Sequence, residues 1–190
     1  MQLVFIRHWE TVDNIEQSIW NLERDMLVQI TDKGKQQALQ AWELLKDDMF
    51  DAIFVSDMLR TQQTAKAIFG DDAWFIFDAR LREGVVSHTH GTKYVYWEIP
   101  QQERVKLRLE WFDDGETYSN QVDRIKKFLD ELSTMNYKKV AIVTHGWCLR
   151  TLYVIAWLVT LEESLYMWRK DNCGVIRANL SQDWKLEILD

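Results

Sequence analysis

The sequence predicts an α/β fold in which helices pack on a mainly parallel central sheet. Segments with a strand pattern alternate with segments with a helical pattern along most of the chain, and this alternation is typical of layered α/β proteins. Three of the strand segments, "QLVFI", "AIFV" and "VAIV", are apolar throughout, as expected for strands that are covered on both faces. With 190 residues the chain is long enough for one well-packed domain.

The first half of the chain supplies three predicted strands and two predicted helices. Strands are expected where short apolar runs occur, at residues 2–6, 51–56 and 73–77. Helices are expected over residues 31–48 and 58–69. Thr31 can cap the first of these helices, and its residues Ala38, Trp42 and Leu45 fall on one face.

The second half continues the same alternation after a stretch without a clear pattern. Residues 80–114 carry mixed signals and are interpreted as an insertion that faces the substrate, within a single domain spanning residues 1–190. An amphipathic helix, a buried strand and an apolar helix follow, at residues 117–135, 139–144 and 148–159. Residues 174–189 are typical of two strands joined by a short turn, which would add an antiparallel edge to the sheet.

Composition excludes several classes of partner and location. The net charge is −7 and no basic block stands out, so we expect no binding to nucleic acid or to an anionic membrane. Two cysteines are too few for a disulfide framework, and Cys148 lies among apolar residues like a core thiol. No apolar run approaches the roughly 20 residues that span a bilayer. We therefore expect a soluble, cytoplasmic protein.

Residues with catalytic chemistry follow the predicted strands at their carboxyl ends, where open α/β sheets bind ligands. The first strand leads into Arg7 and His8, and the strand at residues 139–144 leads into His145 and Gly146. The other two strands are followed by a second set of polar residues, namely Ser56, Arg60, Arg80, Arg82 and Glu83. Each of these residues alone is more often structural than catalytic. Their convergence on one edge favours an anion site, because burying cations without an anion is costly.

This set of residues fits phosphoryl transfer. A neutral imidazole can attack phosphorus, and arginines provide forked donors to phosphate oxygens. A second histidine, when protonated, can hold the same group as negative charge spreads in the transition state. A carboxylic acid can protonate the leaving oxygen and later deprotonate water. Nothing in this scheme requires a metal or another cofactor.

Six segments of the sequence carry a resemblance to a known family. In chain order they are "RHWETVDN", "ITDKGKQQA", "SDMLRTQQTA", "LREG", "DGETY" and "VTHGWCLR". Together they resemble the signature blocks of the histidine phosphatase superfamily, the phosphoglycerate mutase-like family, over most of the chain. The resemblance implies a three-layer αβα sandwich, in agreement with the pattern described above.

The resemblance also implies roles for the matched residues. His8 would be the nucleophile that becomes phosphohistidine, and Glu83 would donate a proton and later activate water. Phosphate would be held by Arg7, Arg60 and His145, with the side-chain amide of Asn14 and the backbone of Gly146 close to it. The implied reaction is a double displacement: phosphoryl transfer to His8, loss of the alcohol, then hydrolysis.

The sequence departs from the family pattern beside both histidines. Trp9 and Trp147 stand where the family usually has glycine. Two interpretations are open: the two side chains flank the site and narrow it, or they point into the core of a protein with 10 tryptophans. His88 and His90 lie two residues apart in the predicted insertion, where exposed loop histidines are a simpler interpretation than a metal site.

The leading functional hypothesis is a metal-independent phosphomonoesterase that acts on a small phosphorylated substrate. A phosphoglycerate-type phosphomutase is the nearest alternative, because it would share the phosphohistidine. A protein that binds a phosphate ligand without catalysis is a third possibility. The sequence leaves the substrate open, and both a monomer and a homodimer are compatible with it.

Overall fold

The architecture is described by a computed structural model that covers most of the chain. The described residues are 1–16, 18–19, 21–85, 94–95, 100, 102, 106, 115–167, 174–181, 183 and 185–189. The strands are β1 (Gln2–Arg7), β2 (Ser18–Ile19), β3 (Ala52–Val55), β4 (Ile76–Phe77), β5 (Tyr94–Val95), β6 (Lys139–Thr144), β7 (Val175–Leu180) and β8 (Leu186–Ile188). The helices are α1 (Val12–Glu16), α2 (Leu22–Asp25), α3 (Asp32–Leu45), α4 (Leu59–Phe69), α5 (Tyr118–Ser133), α6 (Gly146–Ile155) and α7 (Leu161–Tyr166), with a short 3₁₀ turn at Ala79–Leu81.

The main sheet has six strands in the order β4-β3-β6-β1-β7-β8. The four strands β4, β3, β6 and β1 run parallel to one another. Strand β7 is antiparallel to β1, and β8 is antiparallel to β7. The prediction of a mainly parallel sheet with an antiparallel edge from the last two strands is therefore confirmed.

Helices cover both faces of this sheet, so that its strands contribute alternate residues to two cores. Leu3 and Phe5 of β1 face one core, whose helical residues come from α5 and α6. Val4 and Ile6 face the other core, which contains residues of α3 and α4. The predicted three-layer αβα sandwich is confirmed, and the apolar runs in the sequence reflect this burial on two faces. Cys148 lies buried in the first core, as expected, while Cys173 is outside the described residues.

Local features of the helices follow the sequence with one correction. The Thr31 side chain accepts a hydrogen bond from the Gly34 backbone N–H and caps α3 as predicted. The predicted apolar face of this helix is wrong at Trp42, which is 45% exposed. The described buried positions of α3 include Ala41 and Leu45; Trp42 comes about 100° further around the helix than Ala41, and this rotation turns it toward solvent.

The third predicted strand is shorter than residues 73–77, because only Ile76–Phe77 pairs with β3. A second sheet joins β2 to β5 in antiparallel pairing, which connects the segment after α1 to the predicted insertion. Most of residues 80–114 lies outside the described part of the chain. Among the described residues no helix is long and apolar enough to cross a membrane.

Candidate active site

The two predicted histidines lie at the ends of adjacent parallel strands. Arg7 at the end of β1 is in register with Thr144 at the end of β6, so the next residue of each strand reaches the same edge of the sheet. The His8 backbone N–H continues this pairing and donates to the Thr144 carbonyl at 2.9 Å. The centroids of the His8 and His145 rings are 5.1 Å apart. The structure thus brings both imidazoles into one site.

Backbone contacts fix the tautomer of His8. Its Nδ1 lies 2.8 Å from the Trp9 carbonyl oxygen; because a carbonyl only accepts hydrogen bonds, Nδ1 carries the proton and Nε2 keeps its lone pair. Burial lowers the pKa of His8 well below its usual value, and the positive charges of Arg60 and Arg7 lower it further. His8 is therefore neutral at physiological pH, with Nε2 in the form that a nucleophile requires.

His145 is also held as a neutral ring. The Arg60 Nε–H donates to His145 Nδ1 at 3.3 Å, so the proton is on Nε2, which donates to the Ser56 hydroxyl at 2.9 Å. Burial is the largest cause that lowers the pKa of His145, and Arg60 is the next. From the sequence, a protonated second histidine is expected to hold the phosphate. In the structure the ring is neutral, because burial disfavours the charged form and the nearby arginine cations disfavour it further.

Arg60 lies on the first turn of α4 and has few contacts with solvent. Its side chain is 5% exposed. One terminal nitrogen donates to the Asp25 carbonyl at 2.7 Å and to Asp25 Oδ1 at 2.9 Å. The other donates to Asp25 Oδ2 at 3.1 Å and contacts Met58 Sδ at 3.4 Å. Together with the bond from Nε to His145, every N–H of this guanidinium is directed at a protein atom.

Arg7 lies against the start of α6. A Cβ atom added to Gly146 would be 3.2 Å from both Cζ and Nε of Arg7, which is tighter than most Cβ contacts in proteins. The glycine therefore allows the guanidinium to approach the first turn of this helix. A guanidinium beside a helix N-terminus is an arrangement that favours anions.

Glu83 reaches the same helix from the segment that follows the 3₁₀ turn. Its Oε2 accepts a hydrogen bond from the Trp147 backbone N–H at 3.4 Å, and its Oε1 accepts one from the Gly84 N–H at 3.1 Å. The carboxyl group is thus held at the N-terminus of α6, next to His145. This position agrees with the role of a proton donor at the edge of the site.

The two tryptophans have different environments. Trp9 is fully buried and belongs to the core cluster with Val4, Ile6 and Ile30, so its side chain lies in the core and not on a pocket wall. Its predicted substrate-binding role is therefore not supported. Trp147 is half-buried; its ring packs edge-on against Tyr118 at 5.7 Å between centroids.

Asn14 lies in α1, and its side chain is used locally. Asn14 Oδ1 accepts a hydrogen bond from the Thr11 backbone N–H at 3.1 Å, and the Asn14 N–H donates to the Thr11 hydroxyl at 3.2 Å. The first bond orients the Asn14 side chain, and the second is donated by the Asn14 backbone; the side-chain amide NH₂ is therefore the group that Asn14 can offer to a ligand.

The two other arginines expected near the site are engaged in ion pairs. Arg80 binds Asp78 and also Glu131, the latter at 2.7 Å, while Arg82 binds Asp57. Each of these guanidinium groups is thus held by a carboxylate, and among the described residues neither of them bonds to His8 or His145. His88 and His90 lie outside the described residues. Among the residues that are described, no group of three or more His, Cys, Asp or Glu could hold a metal ion.

Sequence reasoning missed two residues that organise the site. Asp25 binds both terminal nitrogens of Arg60, and no periodic pattern around it signals this contact. Arg124 of α5 binds Glu116 through Nε at 2.5 Å and donates to the carbonyl oxygens of Arg80 and Glu83. For Arg124 the sequence does contain an indication of a buried contact: this cation lies next to Ile125, at the border of the apolar face of the helix.

Comparison with known proteins identifies a family whose model matches nearly the whole chain. Residues 3–187 match the family model of the histidine phosphatase superfamily (branch 1). A relative from Erwinia tasmaniensis, named "Probable phosphoglycerate mutase GpmB", is 27% identical over 197 residues, which cover 96% of this chain and 86% of the relative.

Solved structures with this fold carry the names of phosphatases. A mycobacterial glucosyl-3-phosphoglycerate phosphatase superposes with a TM-score of 0.79 at 18% identity, covering 98% of this chain and 96% of the other. The α-ribazole phosphatase of Shigella flexneri superposes with a TM-score of 0.77 at 24% identity, covering 100% and 96%. At these identities the likeness establishes the fold. With a family model that matches nearly all of its length, this chain belongs to the histidine phosphatase superfamily.

Proposed function

We propose that the protein is a metal-independent phosphomonoesterase that acts through a phosphohistidine on a small phosphorylated metabolite. The observation that carries the proposal is the state of His8. Its Nδ1–H is held by the Trp9 carbonyl, its pKa is lowered by burial, and the His145 ring lies 5.1 Å away between centroids. The fold thus fixes a neutral imidazole with its Nε2 lone pair available at the edge of the sheet.

In the first step, His8 Nε2 attacks the phosphorus atom, and the bond between phosphorus and the ester oxygen breaks. Glu83 donates a proton to this oxygen, so the product leaves as an alcohol. Arg7 and Arg60 offset the charge of the transferring group, and the Nε2–H of His145 can donate to it in place of Ser56. In the second step, Glu83 takes a proton from water, the water oxygen bonds to phosphorus, and the phosphorus–nitrogen bond to His8 breaks.

A small phosphorylated metabolite is the substrate class that the related proteins favour. The names of the relatives and structural neighbours refer to phosphoglycerate, glucosyl-3-phosphoglycerate and α-ribazole phosphate. All are low-molecular-weight phosphate compounds. Cytoplasmic location, a monomeric or homodimeric state and a single domain with an insertion at residues 80–114 stay predictions.

The proposal is tested by the turnover of p-nitrophenyl phosphate in the presence of EDTA. His8→Ala should lower kcat by roughly a thousandfold or more, because it removes the proposed acceptor of the phosphoryl group. Equal rates in the two proteins would favour the alternative of a phosphate-binding protein without catalysis. Turnover that EDTA abolishes would instead refute the metal-independent mechanism.

Intact-protein mass spectrometry separates the roles of His8 and Glu83. After mixing with substrate, Glu83→Gln should accumulate a species heavier by one phosphoryl group, because the water that cleaves phosphohistidine lacks its base. The double variant Glu83→Gln/His8→Ala is the matched control and should show no adduct. An adduct that persists in the double variant would place the phosphoryl group on another residue.

A phosphoglycerate mutase is the second candidate, and the name of the Erwinia tasmaniensis relative favours it. Product analysis with 3-phosphoglycerate distinguishes the two reactions. We expect free phosphate and glycerate; an isomerised phosphoglycerate, with no free phosphate, would identify a mutase.

A further inference from the structure

Arg60 has an unusual feature for a residue assigned to a phosphate pocket: all N–H groups of its guanidinium already point at protein atoms. A guanidinium has five N–H bonds. In this protein they are directed at His145 Nδ1, at the carbonyl and Oδ1 of Asp25, at Asp25 Oδ2 and at Met58 Sδ. A phosphate oxygen can receive a hydrogen bond from Arg60 only when one of these contacts breaks.

The contact that can break is the one to the Asp25 carboxylate. Side-chain exposure is 25% for Asp25 and 5% for Arg60, so the carboxylate can turn into water while the guanidinium stays in place. Asp25 is the last residue of α2, a helix of four residues. Rotation of its side chain requires no movement of the sheet or of α4.

Departure of this carboxylate would leave the rest of the site intact. The bond from the Arg60 Nε–H to His145 and the bond from one terminal nitrogen of Arg60 to the Asp25 backbone carbonyl do not involve the Asp25 carboxylate. The two N–H groups released are one from each terminal nitrogen, since Oδ1 and Oδ2 accept from different nitrogens. These are the paired donors with which arginine binds phosphate oxygens in a fork.

We propose that Asp25 is an internal competitor for the phosphate site: its carboxylate occupies the fork of Arg60 in the free protein, and the phosphate group of the substrate displaces it. This proposal rests on the proposed function, since it takes the edge of the sheet as the phosphate site. Asp25 weakens the binding of phosphate because each bound anion must replace an existing ion pair. Its return to Arg60 favours the release of inorganic phosphate after hydrolysis.

The experiment measures the binding of inorganic phosphate to the full-length protein by titration calorimetry. Asp25→Asn and Asp25→Ser remove the competing charge, and both should lower the Kd for phosphate by roughly tenfold. Glu23→Gln is the matched control: it removes the same charge from an exposed position of α2 and should leave the Kd unchanged.

An unchanged Kd in both Asp25 variants would overturn the proposal, and so would an increased Kd, which would mean that Asp25 only holds Arg60 in place. An equal decrease of the Kd in Glu23→Gln would also overturn it, because the effect would then be one of net charge. The His8→Ala turnover assay separates this outcome from a failure of the proposed function. If turnover depends on His8 while the Kd is insensitive to Asp25, only the competitor is refuted. If turnover does not depend on His8 and the Kd is also insensitive to Asp25, both proposals are refuted.

Discussion

Two buried histidines should make this protein sensitive to acid. The destabilisation should begin at a pH well above the pH range in which most carboxylates titrate. In the folded state the pKa of His8 and that of His145 lie well below the usual value, because burial and the nearby arginines disfavour the imidazolium form. In the unfolded chain both should titrate near 6.5. Below that pH the unfolded state binds protons that the folded state does not, so the free energy of unfolding decreases as the pH falls.

The size of this effect follows from the number of protons. Each histidine contributes about 1.4 kcal/mol per pH unit once the pH is well below 6.5, so the pair contributes about 2.8 kcal/mol per unit. Between pH 6.5 and 5 the expected loss is about 3 kcal/mol, a large part of the roughly 5–15 kcal/mol that stabilises a typical domain. Urea unfolding at constant ionic strength across this range measures the slope directly.

Histidine variants identify the source of the slope. His8→Gln and His145→Gln each remove one buried titrating group, and each should reduce the slope between pH 6.5 and 5 by about half. Carboxyl groups contribute at a different pH. Burial disfavours the charged form of Asp48, but hydrogen bonds that favour this form outweigh burial and lower the pKa of Asp48. The pKa of Asp51 is lowered by hydrogen bonds from backbone N–H groups. The stability that these two carboxylates provide is lost only at more acidic pH, as the pH falls through their lowered pKa. A slope that is the same in the wild-type protein and both variants would refute the reasoning.

Two further substitutions probe how the site is built. Gly146→Ala places a Cβ 3.2 Å from the Arg7 guanidinium, so calorimetry should show that phosphate binds several-fold more weakly. The Tm should stay close to that of the wild type, because alanine has a high helix propensity. An unchanged Kd for phosphate would contradict the close approach of Arg7 to Gly146. Arg124→Met leaves the Glu116 carboxylate without the partner that binds it at 2.5 Å and should cost about 2 kcal/mol in urea unfolding. The additional change Glu116→Leu should recover part of that loss, and no recovery would contradict the pairing.

Most of the sheet and the position of both histidines could be predicted from the sequence, because two simple regularities determine them. Apolar runs identify strands that are buried on two faces, and adjacent parallel strands end at the same edge. His8 and His145 directly follow two such runs, and the register of β1 with β6 places them side by side. No knowledge of side-chain orientation was needed for this part of the site.

The residues that the sequence placed less well are those whose environment depends on local turns. Arg82 comes after a strand in the sequence, as His8 does, but its guanidinium donates a hydrogen bond to the carboxylate of Asp57 in a neighbouring loop. Trp9 and Trp147 each follow a histidine, yet the first enters the core and the second is half-buried on α6. The strand alternation stops at Arg7, so no periodicity remains from which the direction of the Trp9 side chain could be predicted.

The contact between Asp25 and Arg60 bears on whether a buried arginine indicates a site for a bound anion. From the sequence, cations that converge on one edge of the sheet are expected to need an anion, because a buried charge without a partner is costly. The structure supplies that anion from within the chain, because the Asp25 carboxylate binds both terminal nitrogens of Arg60. Arg60 alone is therefore compatible with a purely structural ion pair.

His8, and not the arginine, is accordingly the residue whose environment favours catalysis. Folding requires the Nδ1–H of His8 to satisfy the Trp9 carbonyl, but among the described residues Nε2 makes no hydrogen bond. A histidine that served only the core would gain stability from a partner at that atom, or from replacement by an apolar residue. A buried imidazole with one nitrogen fixed and the other left available, beside a second neutral imidazole, is costly for stability and useful for attack on phosphorus. The fate of the phosphoryl group in His8→Ala therefore decides between an enzyme and a structural cluster.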